Sequence, residues 1–290
     1  MTHYPFWKAK GYPKFRTRKA SEQSCYIPKA ALSSKGIYPR ISGKGLYFQE
    51  NLPENYKDSR LIWRYEKWWV AVPYTVKLSY SENQANIVSL DPGIRSFITF
   101  YSSKCSGHLG KDDFSRIQRL CFYLDNLISK RDLTKNKQKR RSLTKASRRI
   151  RAKIKNLITE LHHKTAKFLI DNFDVILLLP AFETKQMTKK AGRNLNKKSV
   201  RSMLTFSHYK FNQFLRWKAF QTGELVVDCN EAYTSKTHPQ TGEIKNIGSA
   251  KWIKLLDGSR ADRDVIGARN ILLRALVDSP AVFYCAVNES

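Results

Sequence analysis

The chain has 290 residues and carries 53 Lys and Arg against 24 Asp and Glu, a formal net charge of +29 with a pI near 10.0. A field of that sign draws polyanions, so nucleic acid is the expected partner, and 41% hydrophobic content excludes a disordered basic tail while allowing one large or two small domains. No run approaches the roughly 18 apolar residues of a membrane span and no signal peptide is readable at Met1, so a soluble intracellular protein without a membrane partner is expected.

In chain order, residues 1 to about 40 mix Pro, aromatic and basic side chains without clean period, and partly irregular structure is expected there. Leu61 to Val76 is rich in β-branched and aromatic residues around a short Glu66-Lys67 interruption, which predicts a hairpin. The tryptophans of this segment could stack on bases, but core filling is the favoured reading. From Ile87 the pattern becomes α/β. Short apolar runs predict strands at Ile87–Asp91, Phe97–Tyr101, Val175–Leu179 and Glu224–Asp228. Helices are predicted over about 112–170, 199–222 and 264–276. The five cysteines, at 25, 105, 121, 229 and 285, never fall in CxxC spacing and are expected to be reduced thiols.

Three features carry chemistry. Asp91 ends a buried strand before the turn Pro92-Gly93, where it serves either as a metal-binding carboxylate or as a turn former bonding its own backbone. Asp264 opens the last helix beside Gly267 and Ala268, either as an N-cap or as a second carboxylate aimed across the sheet edge at Asp91. Two carboxylates in a phosphate-attracting chain suggest two-metal phosphodiester hydrolysis, for which Mg2+ prefers such hard oxygen ligands. The third feature is basic. Half of the residues from Lys130 to Lys155 are Lys or Arg, so Lys137, Lys139, Arg140, Arg141, Arg148, Arg149, Arg151 and Lys153 are candidates for phosphate contact along a helix. Lys185 to Arg201 is expected to be a mobile basic loop that also faces nucleic acid. His162 and His163, adjacent on a helix, point apart, so packing or phosphate contact is expected rather than a shared metal.

Four segments together resemble the TnpB family of transposon-encoded RNA-guided endonucleases: Asp91-Pro92-Gly93-Ile94-Arg95-Ser96-Phe97, Pro180-Ala181-Phe182-Glu183-Thr184, Glu231-Ala232-Tyr233-Thr234-Ser235-Lys236-Thr237 and Asp262-Arg263-Asp264. The resemblance covers roughly residues 10 to 276 and is closest to the branch sharing features with Fanzor proteins. It implies a RuvC-like nuclease domain of RNase H fold over 86–230 and 258–280, with a long basic helical insertion at 112–170. It also implies a β-rich wedge module over 1–85, short for the family, and a degenerate zinc-ribbon insertion over 231–257. Guide RNA and a double-stranded DNA target are the partners so implied, and Lys236 joins the nucleic-acid contacts. A prokaryotic source would place the protein in the cytoplasm with the nucleoid; a eukaryotic or viral source would place it in the nucleus.

The resemblance also implies three metal-binding carboxylates. Pro180 stands where the commoner pattern has a Glu, and in the similar branch the Glu opening the Tyr-Thr-Ser-Lys-Thr motif takes that role. The implied triad is therefore Asp91, Glu231 and Asp264, with Glu183 in reserve. The family's zinc ligands are replaced by His238, Thr241, Lys254 and Asp257; since Lys254 would repel the ion, no structural zinc is expected. The loop is instead expected to pack through Trp252, Ile253, Leu255 and Leu256, with turns at Gly242 and Gly248. Ile266 replaces the usual Asn of the last motif. The leading expectation is an RNA-guided, Mg2+-dependent DNA endonuclease of transposon origin. A binding protein on the same scaffold, with cleavage lost, is the competing one.

Overall fold

The computed structural model describes residues 20, 22–38, 48–75, 86–111, 113–179, 197–229, 237–244 and 250–278. The chain divides into two compact units, Met1–Lys77 and Leu78–Ser290. The boundary expected at 85/86 lies outside the described residues.

The first unit is β-rich. It contains β1 (Glu22–Ile27), a short 3-10 turn (Lys29–Ala31), β2 (Leu32–Ser33), β3 (Gly36–Ile37), β4 (Ser59–Arg64) and β5 (Lys67–Ala71). β4 and β5 form the expected hairpin, turning at Tyr65-Glu66, both at positive φ (54° and 63°). That backbone suits the twist of a two-residue hairpin loop. Within the first 40 residues, where partly irregular structure is expected, β1 is a regular strand that pairs antiparallel with β4 along its whole length. Its sequence, Glu-Gln-Ser-Cys-Tyr-Ile, lacks apolar alternation, so the partner strand defines it. Core filling fails for two tryptophans: Trp68 and Trp69 are 63% and 51% exposed on the edge strand β5. The small core of this unit is Ile27, Ala31, Leu32 and Ile37, with Leu61 and Val70 packed against it.

The second unit is a mixed α/β layer structure. Its elements begin with β6 (Ile87–Pro92), β7 (Ile98–Ser102) and β8 (Ser106–Leu109). They continue with α1 (Asp113–Leu133), α2 (Lys137–Asn172), β9 (Val175–Leu178), α3 (Lys197–Phe206), α4 (His208–Thr222) and β10 (Leu225–Asp228). The hairpin strands β11 (Trp252–Lys254) and β12 (Arg260–Asp262) and the helix α5 (Arg263–Asp278) follow. The main sheet has the order β10-β9-β6-β7-β8. β6, β7 and β8 run antiparallel in sequence, whereas β9 and β10 are parallel to β6 and reached through helical crossovers. Among the described residues, no helix is long and apolar enough to cross a membrane.

Two predicted helices are each broken in two. The long basic region splits at 134–136, where the Asn136 side chain accepts the Lys139 amide at 3.0 Å and starts α2. Residues 197–222 split at Ser207, whose φ of 55° ends α3.

Strand alternation gives the sheet two different faces. Val88 and Leu90 of β6 and Ile176 and Leu178 of β9 turn toward a large core completed by Leu161, Leu169, Phe206, Phe211 and Leu215. Ile87, Val175, Leu177 and Leu179 belong to a smaller cluster under α5, with Ile271 and Ala275.

Candidate active site

Because side chains alternate along β6, Asp91 shares with Ile87 and Ser89 the face that α5 covers. Ser89 Oγ donates to Ala268 O at 2.6 Å, which ties the helix to the strand two residues before Asp91. Gly267 permits the close approach: a Cβ there would stand 2.9 Å from Asp91 Oδ2. The Asp91 carboxylate therefore lies against the bare Cα of the helix. Asp264, three residues earlier and so one turn away on the same side of α5, lines the same pocket of about 270 Å³ together with Asp91, Thr99, Arg95 and Arg263. The N-cap reading of Asp264 does not hold. Asp262 is the cap, its Oδ1 accepting the Asp264 amide at 2.9 Å.

The turn after Asp91 is fixed from beneath. Gly93 donates its N–H to Phe97 O at 3.2 Å. Phe97 is stacked between two imidazoles, with centroids 4.9 Å from His208 and 5.2 Å from His162. His162 Nε2 is 2.8 Å from Phe206 O, while His163 packs on Phe214 at 4.5 Å, so both histidines pack, as expected, and point apart. Burial pushes His208 down to about 4 and lowers His162 below the usual imidazole range. Both are neutral at neutral pH.

The other implied carboxylates, Glu231 and the reserve Glu183, lie outside the described residues, as does Lys236. Leu90, Leu178 and Asp228 stand at one level across β6, β9 and β10. The Asp228 carboxylate is held there by Arg216 in an ion pair. Among the described residues, no group of three His, Cys, Asp or Glu side chains is placed to hold one metal ion.

On α2, Lys137, Lys139, Arg140, Arg141, Arg149, Arg151 and Lys153 are exposed and Arg148 is half-buried. The expectation of a mobile basic loop from 185 to 201 needs one correction. Residues 185–196 lie outside the described residues, but Arg201 sits in α3, paired with Asp125 of α1 and donating to Cys121 O at 3.3 Å. A partner 76 residues away is not readable from local charge pattern.

In the segment expected to be a degenerate ribbon, residues 237–244 and the β11–β12 hairpin are joined by hydrogen bonds. His238 Nε2 lies 3.2 Å from Lys254 O, and its Nδ1 lies 3.3 Å from the Thr241 amide. Gln240 Oε1 accepts the Leu256 amide at 2.7 Å. Asp257 accepts both the amide (2.9 Å) and the hydroxyl (2.7 Å) of Ser259. Gly242 makes the expected turn at a φ of 70°; Gly248 lies outside the described residues. The expected apolar packing holds for Ile253 but not for Trp252 and Leu256, which are exposed. These side chains lie in a thin two-stranded layer with too little surface to cover them.

Sequence reasoning missed His108 on β8, whose Nε2 lies 3.4 Å from Asp262 Oδ2. Ser106-Gly107-His108-Leu109 is too short and polar to announce a strand, so the position of His108 became visible only from the register.

Residues 208–271, spanning α4, β10 and the start of α5, match the Cas12f1-like TNB domain family. A TnpB-like protein of Acanthamoeba polyphaga mimivirus is 30% identical over 204 residues, 67% of this chain and 38% of that protein. A candidate transposase of Paramecium bursaria Chlorella virus 1 is 33% identical over 248 residues, 83% of this chain and 55% of that protein. These matches are the ones expected of a chain similar to TnpB proteins. The chain spans about 38% to 55% of the lengths of these two relatives. Among solved structures, a chain from a Cas12f1–sgRNA–target DNA complex superposes with a TM-score of 0.50 at 16% identity, over 74% of this chain and 45% of that one. At that identity the likeness concerns the fold, and the chain accordingly shares the α/β fold of that chain, in line with the α/β class expected from its sequence.

Proposed function

We propose that the chain is an RNA-guided, Mg2+-dependent DNA endonuclease of transposon origin. One observation carries this reading: Asp91 and Asp264, from separate elements, line one pocket at the place where Gly267 lets helix and strand close together. The donor set fits a hard cation, since both groups are carboxylates. Asp91 and Asp264 would hold Mg2+, with Glu231 as the third ligand that the family resemblance implies. Bound there, the ion would supply an activated water and neutralise charge at the scissile phosphate.

The chain's own residues do the remaining work. The β6 backbone and the Gly93–Phe97 hydrogen bond hold the Asp91 turn in place. Arg95 and Arg263 bring positive charge to the pocket wall, where a phosphate would enter. The exposed cations of α2 extend that attraction along a helix of about 54 Å at the usual rise per residue. Sequence selection would fall to base pairing by a guide, with the protein contacting duplex backbone.

The test is plasmid cleavage by the full chain co-expressed with the noncoding RNA that flanks its gene, with Mg2+ present or chelated. Cutting that requires Mg2+ and is lost in Asp91→Ala and Asp264→Ala supports the proposal. Equal cutting by wild type and Asp91→Ala would sink it. Nucleic-acid binding by a wild type that never cuts would replace it with the binding-only reading.

A further inference from the structure

His108 stands in a row that runs straight across the sheet. Asp91 pairs with Thr99, and Thr99 pairs with His108, in the registers of β6, β7 and β8. Directly paired residues project from the same face, so all three side chains lie on the side that α5 crosses. The row begins at a carboxylate proposed to hold metal and ends beside Asp262, two residues before the other.

The imidazole is held on both sides. Its Nδ1 lies 3.1 Å from Thr99 Oγ1 and 3.3 Å from Ser96 Oγ, and these two buried hydroxyls are 3.1 Å apart. Its Nε2 reaches Asp262 Oδ2 at 3.4 Å. The other oxygen of that carboxylate, Oδ1, accepts the Asp264 amide at 2.9 Å. One carboxylate thus joins a strand of the sheet to the first turn of the helix that carries Asp264.

That link is needed because the chain entering α5 comes from outside the main sheet. The Arg263 amide bonds Lys251 O at 3.0 Å and the Asn270 side chain bonds Thr237 O at 2.9 Å, so both of these ties lead into residues 237–262. Deeper in the helix, Gly267 and Ala268 rest on β6 through the close approach to Asp91 and the Ser89 bond to Ala268 O.

We propose that His108 is a positioning residue which, through Asp262, fixes the first turn of α5 and thereby the separation of Asp264 from Asp91. The inference rests on the metal-binding reading above. It assigns to His108 no contact with substrate or metal. The role separates from a purely structural one by what the loss of the Asp262 contact changes most: the geometry of a cation site rather than the melting temperature.

The experiment is Mn2+ binding to the full chain without nucleic acid, followed by electron paramagnetic resonance, with thermal melting of each variant alongside. Wild type is expected to bind Mn2+ and Asp91→Ala to lose it. His108→Ala is expected to weaken binding about tenfold, the usual scale when a supporting hydrogen bond behind a ligand is removed, and His108→Gln, whose amide can donate to Asp262, to recover most of it. Should His108→Ala fail to fold, His108→Asn carries the same comparison, being polar enough for Thr99 but too short for Asp262. Wild-type affinity in a folded His108→Ala or His108→Asn overturns the proposal alone, as does a His108→Gln no better than His108→Ala. A wild type that binds no Mn2+ overturns the metal-binding reading and this proposal with it.

Discussion

The two faces of the central sheet are built on opposite principles. On one, Phe97, Phe206, Phe211 and Leu215, at most 1% exposed, interlock with the helices. On the other, α5 meets β6 through Gly267, Ala268 and the hydroxyl of Ser89. Large side chains bury more apolar area and keep backbones apart; small ones bury less and let backbones close in. The stabilising face and the carboxylate face are therefore separate, and substitutions on them should fail in different ways.

The largest expected effect lies on the aromatic face. Phe211→Ala removes a ring that meets Phe97 edge-on at 5.0 Å and should cost about 4 kcal/mol of unfolding free energy in urea denaturation. A loss below about 1 kcal/mol would mean that this face collapses around the hole and is not the main store of stability. Next is Gly267→Ala. The added methyl would press on Asp91 Oδ2, and a displacement of that scale should lower plasmid cleavage about 100-fold. Stability should change by less than about 1 kcal/mol, because the helix gains propensity as the contact is strained. A variant that cleaves normally would show the close approach to be incidental.

The smallest effect uses pH to probe the aromatic face. Burial lowers the folded value of His208 from the ordinary imidazole 6.5 to about 4, so between those values the unfolded chain binds more protons and stability rises with pH. The stability present above pH 6.5 should be lost as pH falls toward 4, by about 2 kcal/mol between pH 7 and 5, with His162 acting in the same direction. Urea midpoints across that range read the effect directly. An unchanging midpoint would mean that the sandwich around Phe97 admits water.

Legibility in the sequence followed the same division. Val175-Ile176-Leu177-Leu178 and Ile87-Val88-Ser89-Leu90 were readable as buried strands because burial on both faces demands unbroken apolar runs. Asp91 and Asp264 were readable because each ends or opens such an element. His108 was not, since its meaning lies in a cross-strand register set by a four-residue polar strand. Nor was the Ser207 break, where a left-handed residue interrupts a continuous helical period. Trp68 and Trp69 misled for another reason: aromatic content announces a strand but not whether that strand has a neighbour on its outer side. The choice of Glu231 over Glu183 came from the family pattern, because a carboxylate beyond the end of a strand has no period to read.

The parallel part of the sheet has a consequence for how such a site can change over time. β6, β9 and β10 all deliver the chain to one rim, level at Leu90, Leu178 and Asp228, and neighbouring exits are separated by one strand spacing of about 4.8 Å. A step of that size is comparable to the reach of a glutamate side chain. An acidic residue could be lost after one strand and regained after the next while the rim and its helix stay where they are, so the address of a ligand in the sequence can drift while its address in space is conserved.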